Sequence, residues 1–117
     1  MRLSPDGRRI AGEETDSSGL KTDLWVHGTS GDTPIRLTFN PALHQTPIWT
    51  PDGKQLLFDL GGTNALYLKH ADGTGSEEFV VDLGEVLVNP WDWSRDGKYV
   101  LLRKFYKGES QEQNFLP

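Results

Sequence analysis

Thr50-Pro51-Asp52-Gly53-Lys54-Gln55-Leu56-Leu57 reads as a tight turn that releases a strand. Proline presets φ for the second turn position, aspartate tolerates the next and can bond the backbone, and glycine takes φ > 0 without a Cβ penalty. This is the chemistry of a type I turn closed by a glycine bulge, a common hairpin connection. Ile48-Trp49 feeds the turn and Gln55-Leu56-Leu57-Phe58 leaves it, so the stretch predicts a β-hairpin.

Outward from this hairpin the same pattern occurs twice more. Ser4-Pro5-Asp6-Gly7-Arg8-Arg9-Ile10-Ala11 precedes it, and Ser94-Arg95-Asp96-Gly97-Lys98-Tyr99-Val100-Leu101 follows it. Asp6 to Asp52 is 46 residues and Asp52 to Asp96 is 44. Two other landmarks keep the same spacing. Asp23-Leu24-Trp25-Val26 matches Ala65-Leu66-Tyr67-Leu68, and Ile48-Trp49-Thr50 matches Asp92-Trp93-Ser94. A period of about 40–45 residues is the length of one four-stranded propeller blade. In the middle copy the strands read A (Ile48-Trp49), B (Gln55–Asp59), C (Ala65–Lys69) and D (Glu77–Asp82), with Phe39–Thr46 and Leu83–Asn89 as the longer connections. The next copy begins A (Trp91–Ser94), B (Tyr99–Lys104). No stretch of about ten residues carries a helical period. The expected fold class is therefore all-β: antiparallel four-stranded blades of an incomplete β-propeller.

These residues carry a resemblance. The Ser/Thr-Pro-Asp-Gly-Lys/Arg turn after a tryptophan, with Asp-Leu-Trp/Tyr downstream, resembles the TolB-type (WD40-like) β-propeller repeat. Arg36-Leu37-Thr38-Phe39-Asn40-Pro41 ahead of Pro47-Ile48-Trp49 strengthens the likeness, which covers roughly residues 3–104. Two departures stand out: Arg95 occupies the proline position, and the third copy has no recognisable Asp-Leu-Trp strand after Leu102.

The repeat divides the chain into a partial first blade (residues 1–46, strands B–D and linker), a complete second blade (47–88) and a partial third blade with a frayed tail or the start of a further strand (89–117). A closed propeller takes about four to eight blades, so about 170 residues or more at this period. The 117 residues are expected to be a fragment of a larger ring, with remaining blades or self-association needed to close it.

Composition narrows the function. Twelve Lys and Arg against 17 Asp and Glu give a net charge of −5, which disfavours general nucleic-acid binding because phosphates need compensating cations. The chain has no cysteine, which excludes disulfides, thiolate metal sites and a cysteine nucleophile. No run approaches the roughly 18–20 apolar residues of a membrane helix, so no membrane insertion is expected. If Met1 is the true start, no secretory signal precedes it and the cytoplasm is expected; if an upstream signal is missing, the resemblance favours the periplasm.

Each candidate site has a plainer reading. Asp6, Asp52 and Asp96 sit one per turn in separate blades, so they read as turn formers and not as converging cation ligands. Asp72-Gly73-Thr74-Gly75-Ser76 lacks the Gly-Lys-Ser/Thr ending of a phosphate loop and reads as the C–D turn. Gly28-Thr29-Ser30-Gly31 lacks the second glycine spacing of a nucleophile elbow. His27 and His70 follow equivalent strands, and Trp25, Tyr67, Trp49 and Trp93 read as core. Two residues remain as binding candidates. His44 lies on the segment leading into the second blade, where loops line a ring face. Trp91 is a second aromatic two residues before Trp93, although strict alternation would point both the same way. No catalytic residue, metal ligand or cofactor site is assigned. The expected function is a non-catalytic scaffold for a protein or peptide partner. By resemblance it belongs with TolB-like envelope propellers or kinase-associated sensor propellers. The alternative is the propeller portion of a prolyl-oligopeptidase-type serine peptidase whose catalytic domain lies outside this chain.

Overall fold

A computed structural model describes residues 1–84, 87–105 and 112–116. The described chain is all strand and turn, in three antiparallel sheets. The first contains β1 (Arg2–Leu3), β2 (Arg9–Thr15), β3 (Thr22–Gly28) and β4 (Ile35–Arg36) in that order. The second contains β5 (His44–Trp49), β6 (Gln55–Leu60), β7 (Ala65–His70) and β8 (Glu78–Asp82). The third runs β9 (Leu87–Trp93), β10 (Val100–Phe105) and β11 (Glu112–Leu116). Each sheet is a meander of neighbouring strands, the construction of a propeller blade. Among the described residues no helix is long and apolar enough to cross a membrane.

The three A–B turns are built alike, and the reason is local. In each, the aspartate Oδ1 accepts from the Ser/Thr hydroxyl two residues earlier: Ser4 at 2.6 Å, Thr50 at 2.6 Å and Ser94 at 2.7 Å. The same oxygen accepts the backbone N–H two residues later, from Arg8, Lys54 and Lys98, each at 3.0 Å. The hydroxyl oxygen in turn accepts the first N–H of the outgoing strand, from Arg9, Gln55 and Tyr99. Gly7, Gly53 and Gly97 sit at φ 73°, 72° and 77°, where other residues are strained. Three hydrogen-bonded groups thus hold each turn, and Arg95 replaces proline without loss of this geometry.

The strands differ from the sequence reading at four places. Arg2 and Leu3 pair with Ala11 and Ile10, so a short A strand precedes the first turn although no tryptophan marks it. β5 begins at His44, because a bulge at Thr46-Pro47 lets pairing resume from Ile48↔Leu57 to Gln45↔Asp59. Thr46 takes φ 51° there. β9 repeats the device: Asp92 pairs with Leu101 and Pro90 with Leu102, which leaves Trp91 as the extra residue. After Leu102 the chain does form another strand, β11, paired Val100↔Leu116 to Lys104↔Glu112.

The core consists of two layers between sheets. Ala11, Leu24, Val26 and Leu37 of the first sheet's side meet Trp49, Leu56, Phe58 and Ala71 of the second. Ile48, Leu57 and Leu66 on the opposite face of the second sheet meet Val88 and Leu102 of the third. β6 is therefore covered on both faces, which explains its unbroken apolar run Leu56-Leu57-Phe58. Burial of each such side chain is worth about 1.5–3 kcal/mol.

Candidate functional site at the mouth of the blades

At the turn end of the A strands, the three blades leave a cleft of about 490 Å³ between them. Its lining follows the repeat. Leu3, Trp49 and Trp93 are one equivalent set, and Pro5, Pro51 and Arg95 are a second. Arg2, Ile48 and Asp92 are the third. One end of each A strand and the second residue of each turn are thus brought to a common mouth. Each blade adds different chemistry: blade one a guanidinium, blade two an apolar wall, blade three a carboxylate and a second guanidinium.

Arginine–tryptophan contacts brace this end. Arg9 of the first sheet lies 4.7 Å over the Trp49 ring and donates to the Gly53 carbonyl in the next blade's turn. Trp49 Nε1 donates to the Arg2 carbonyl at 2.9 Å. Arg2 donates to the Trp91 carbonyl and stands 5.7 Å from the Trp91 ring centre, with Arg103 at 4.5 Å. Such contacts contribute about 0.5–2 kcal/mol each. Arg95 makes no hydrogen bond or ion pair among the described residues, and its side chain is exposed.

The far end of the A strands holds polar networks. His44 is fully buried. Its Nδ1 lies 2.9 Å from the Thr22 carbonyl, which fixes Nδ1–H as the donor. Its Nε2 lies 3.1 Å from Asn40 Oδ1 and 2.9 Å from Glu77 Oε1. Beside it Asp23 accepts from Arg36 at 2.9 Å and from the Thr38 hydroxyl at 2.8 Å. Asp59, also buried, accepts from the Thr46 hydroxyl and, at 3.2 Å, from the Asn89 amide. Burial pushes its carboxyl up to about 6, partly opposed by those two hydrogen bonds and reinforced by the charge of Glu13. Glu13 accepts the Thr46 N–H at 2.6 Å.

The two sequence candidates therefore belong to separate networks. Trp91 is 41% exposed, because the bulge detaches it from the alternation that would pair its direction with Trp93. His44 is enclosed by Thr22, Asn40 and Glu77, segments too far apart in sequence for their convergence to be read there. The turn aspartates sit below their usual carboxylate range, first through their own Ser/Thr hydroxyls and then through backbone N–H bonds. In the Gly-rich C–D turn, the Lys69 ammonium donates to the carbonyls of Gly73, Thr74 and Gly75. A phosphate cradle would present N–H groups instead. Among the described residues no group of three His, Asp or Glu could hold a metal ion. The cleft and Asp59 were not singled out by sequence; the proline-to-arginine departure at position 95 was the available signal.

No protein-family model matches the chain. The Tol-Pal system protein TolB of Anaeromyxobacter dehalogenans is 48% identical over 46 residues, 39% of this chain and 10% of that protein. The uncharacterized peptidase YuxL of Bacillus subtilis is 29% identical over 97 residues, 83% of this chain and 14% of that protein. The chain thus spans only a small part of each of these relatives. Among solved structures, TolB from Acinetobacter baumannii superposes with a TM-score of 0.76 at 23% identity, over 97% of this chain and 28% of that one. A putative TolB from Agrobacterium tumefaciens gives 0.70 at 24% identity, over 97% of this chain and 40% of that one. Blade topology and these superpositions agree: the chain is an all-β partial propeller whose fold is similar to that of TolB.

Proposed function

We propose that this chain is a propeller scaffold that binds a protein or peptide partner and does no chemistry of its own. The observation that carries the reading is the mouth cleft, where three blades contribute equivalent positions to one aromatic and cationic opening. Clefts of about 300–1,000 Å³ with apolar walls and a few polar groups are the usual form of a binding site. Trp91, half-exposed beside the cleft's Arg2, is an aromatic that a partner would meet; His44 supports the blade joint from within. The test is an array of acidic, basic and neutral peptides probed with the 117-residue chain, followed by mass spectrometry of the peptides. Saturable binding with peptides recovered intact is expected. Absence of binding to every peptide, or recovery of cleaved peptides, would overturn the reading.

A second reading has its own support, since the similarity to YuxL extends over 83% of the chain. In that case the blades would position peptides for a hydrolase domain encoded in the same longer reading frame. Labelling of the full-length product by a fluorophosphonate probe, at a serine outside this chain, would favour the peptidase reading over the scaffold.

A further inference from the structure

We infer that the mouth cleft is an acidic-peptide site, with Arg95 as its specificity-determining residue; this rests on the peptide-binding reading above and names the class of peptide. Arg95 stands at a position where the other two blades have Pro5 and Pro51. The turn does not need it: Ser94, Asp96, Gly97 and Lys98 make the same bonds as their counterparts around Pro51. An arginine that the fold does not use, exposed and without a hydrogen bond or ion pair among the described residues, therefore projects from the lip of the cleft.

The surroundings suit a carboxylate with an apolar neighbour. Arg2 is the second guanidinium, held in place by its bond to the Trp91 carbonyl. Asp92, the acid among the lining residues, is engaged by the Trp93 N–H at 2.9 Å. Asp52 and Asp96 beside the cleft are folded into their own turns. Trp93 and the two prolines supply a rigid apolar wall, the kind of surface on which extended peptides dock. Arginine is the side chain best matched to carboxylates, through its planar donor fork. The lining holds two guanidiniums, Arg2 and Arg95, against the single carboxylate of Asp92, so it is net positive on a chain of net charge −5.

The probe is a fluorescein-labelled peptide of alternating leucine and glutamate, compared with the same peptide carrying lysine for glutamate. Binding to the 117-residue chain is read by anisotropy at low and high salt. The glutamate peptide is expected to bind and the lysine peptide not, with affinity falling as salt rises. Arg95→Pro restores the residue of the other two turns, so its unfolding midpoint is expected to be equal or higher. Its affinity for the glutamate peptide is expected to fall about tenfold or more, and Arg95→Lys to fall less. If Arg95→Pro lowers the midpoint, Arg95→Gln serves as the variant. Peptide binding that ignores charge, or that survives loss of Arg95, overturns this inference and leaves the scaffold reading standing. Absence of binding to either peptide overturns the inference. A peptide array that is blank as well removes the scaffold reading with it.

Discussion

The Nε2 of His44 stands 2.9 Å from Oε1 of Glu77, and this carboxylate oxygen is buried without a hydrogen-bond partner among the described residues. The imidazole thus joins the Thr22 carbonyl of the first sheet to a carboxylate beside the outer strand of the second. Removing a fully buried, hydrogen-bonded ring leaves both a cavity and the unmatched Thr22 carbonyl. His44→Ala is expected to lower stability by about 2–5 kcal/mol, with Glu77→Gln costing less. Urea unfolding of both variants checks this; a loss under about 1 kcal/mol for His44→Ala would mean the contact is not structural.

Asp59 gives the chain a measurable pH signature. Its folded-state carboxyl titrates near 6 against 3.8 for the ordinary group. A raised pKa favours the neutral form in the fold, so this contribution is fully present below pH 3.8 and is lost as pH rises through 6. Stability is expected to climb as pH falls from 7 toward 4, by about 2–3 kcal/mol at most. Below that range the depressed turn aspartates act in the opposite sense, since their contribution is present above 3.8 and is lost on protonation. Asp59→Asn should remove the upper limb and leave the acid limb. Thermal unfolding across pH 3 to 8 distinguishes the two; an unchanged upper limb in the variant would refute the assignment.

How much of this was open to reading depends on the range of the forces. The turns were legible because Ser4, Asp6 and Gly7, and their counterparts, act within six residues of one another. The blade cores were legible because Leu24 recurs as Leu66, and Leu56 as Val100, at one blade period. The bulges were not, since the extra residue at Thr46-Pro47 or Trp91 depends on which partner strand it faces. β1 was not, because Arg2-Leu3 carries no aromatic and pairs only by virtue of β2. The cleft needs three blades to converge, and only its one odd residue, Arg95, was visible in advance.

Lys69 is a buried cation whose charge is met by three carbonyls of the following turn. Hydrogen bonds to charged groups are worth about 1.5–3 kcal/mol. Lys69→Met keeps the stem and removes the donor, so a loss of about 2–3 kcal/mol is expected by urea unfolding. A further sign would be faster proteolysis at Gly73–Gly75. A variant as stable and as resistant as the parent would show that the ammonium does not order the turn.

Amide exchange should rank the strands by cover. β6 has strands on both sides and sheets against both faces, while β8 exposes Phe79 (58%) and Val80 (45%) at the outer edge. Protection reports local opening, so the amides of Leu56, Leu57 and Phe58 are expected to exchange last and the outward amides of β8 early. Uniformly fast exchange in β6 would mean that the three sheets do not form a cooperative unit.

The joints between blades differ although the turns do not. Glu13 reaches forward to the Thr46 amide, and the residue at the same repeat position in the next blade, Asp59, reaches forward to Asn89. The third copy places Arg103 there, the opposite charge. The first two blades therefore each carry an address for the next. Shuffling the blades would preserve every hairpin and mismatch the seams, so the order of the copies, as much as their likeness, is what selection on this sequence has to maintain.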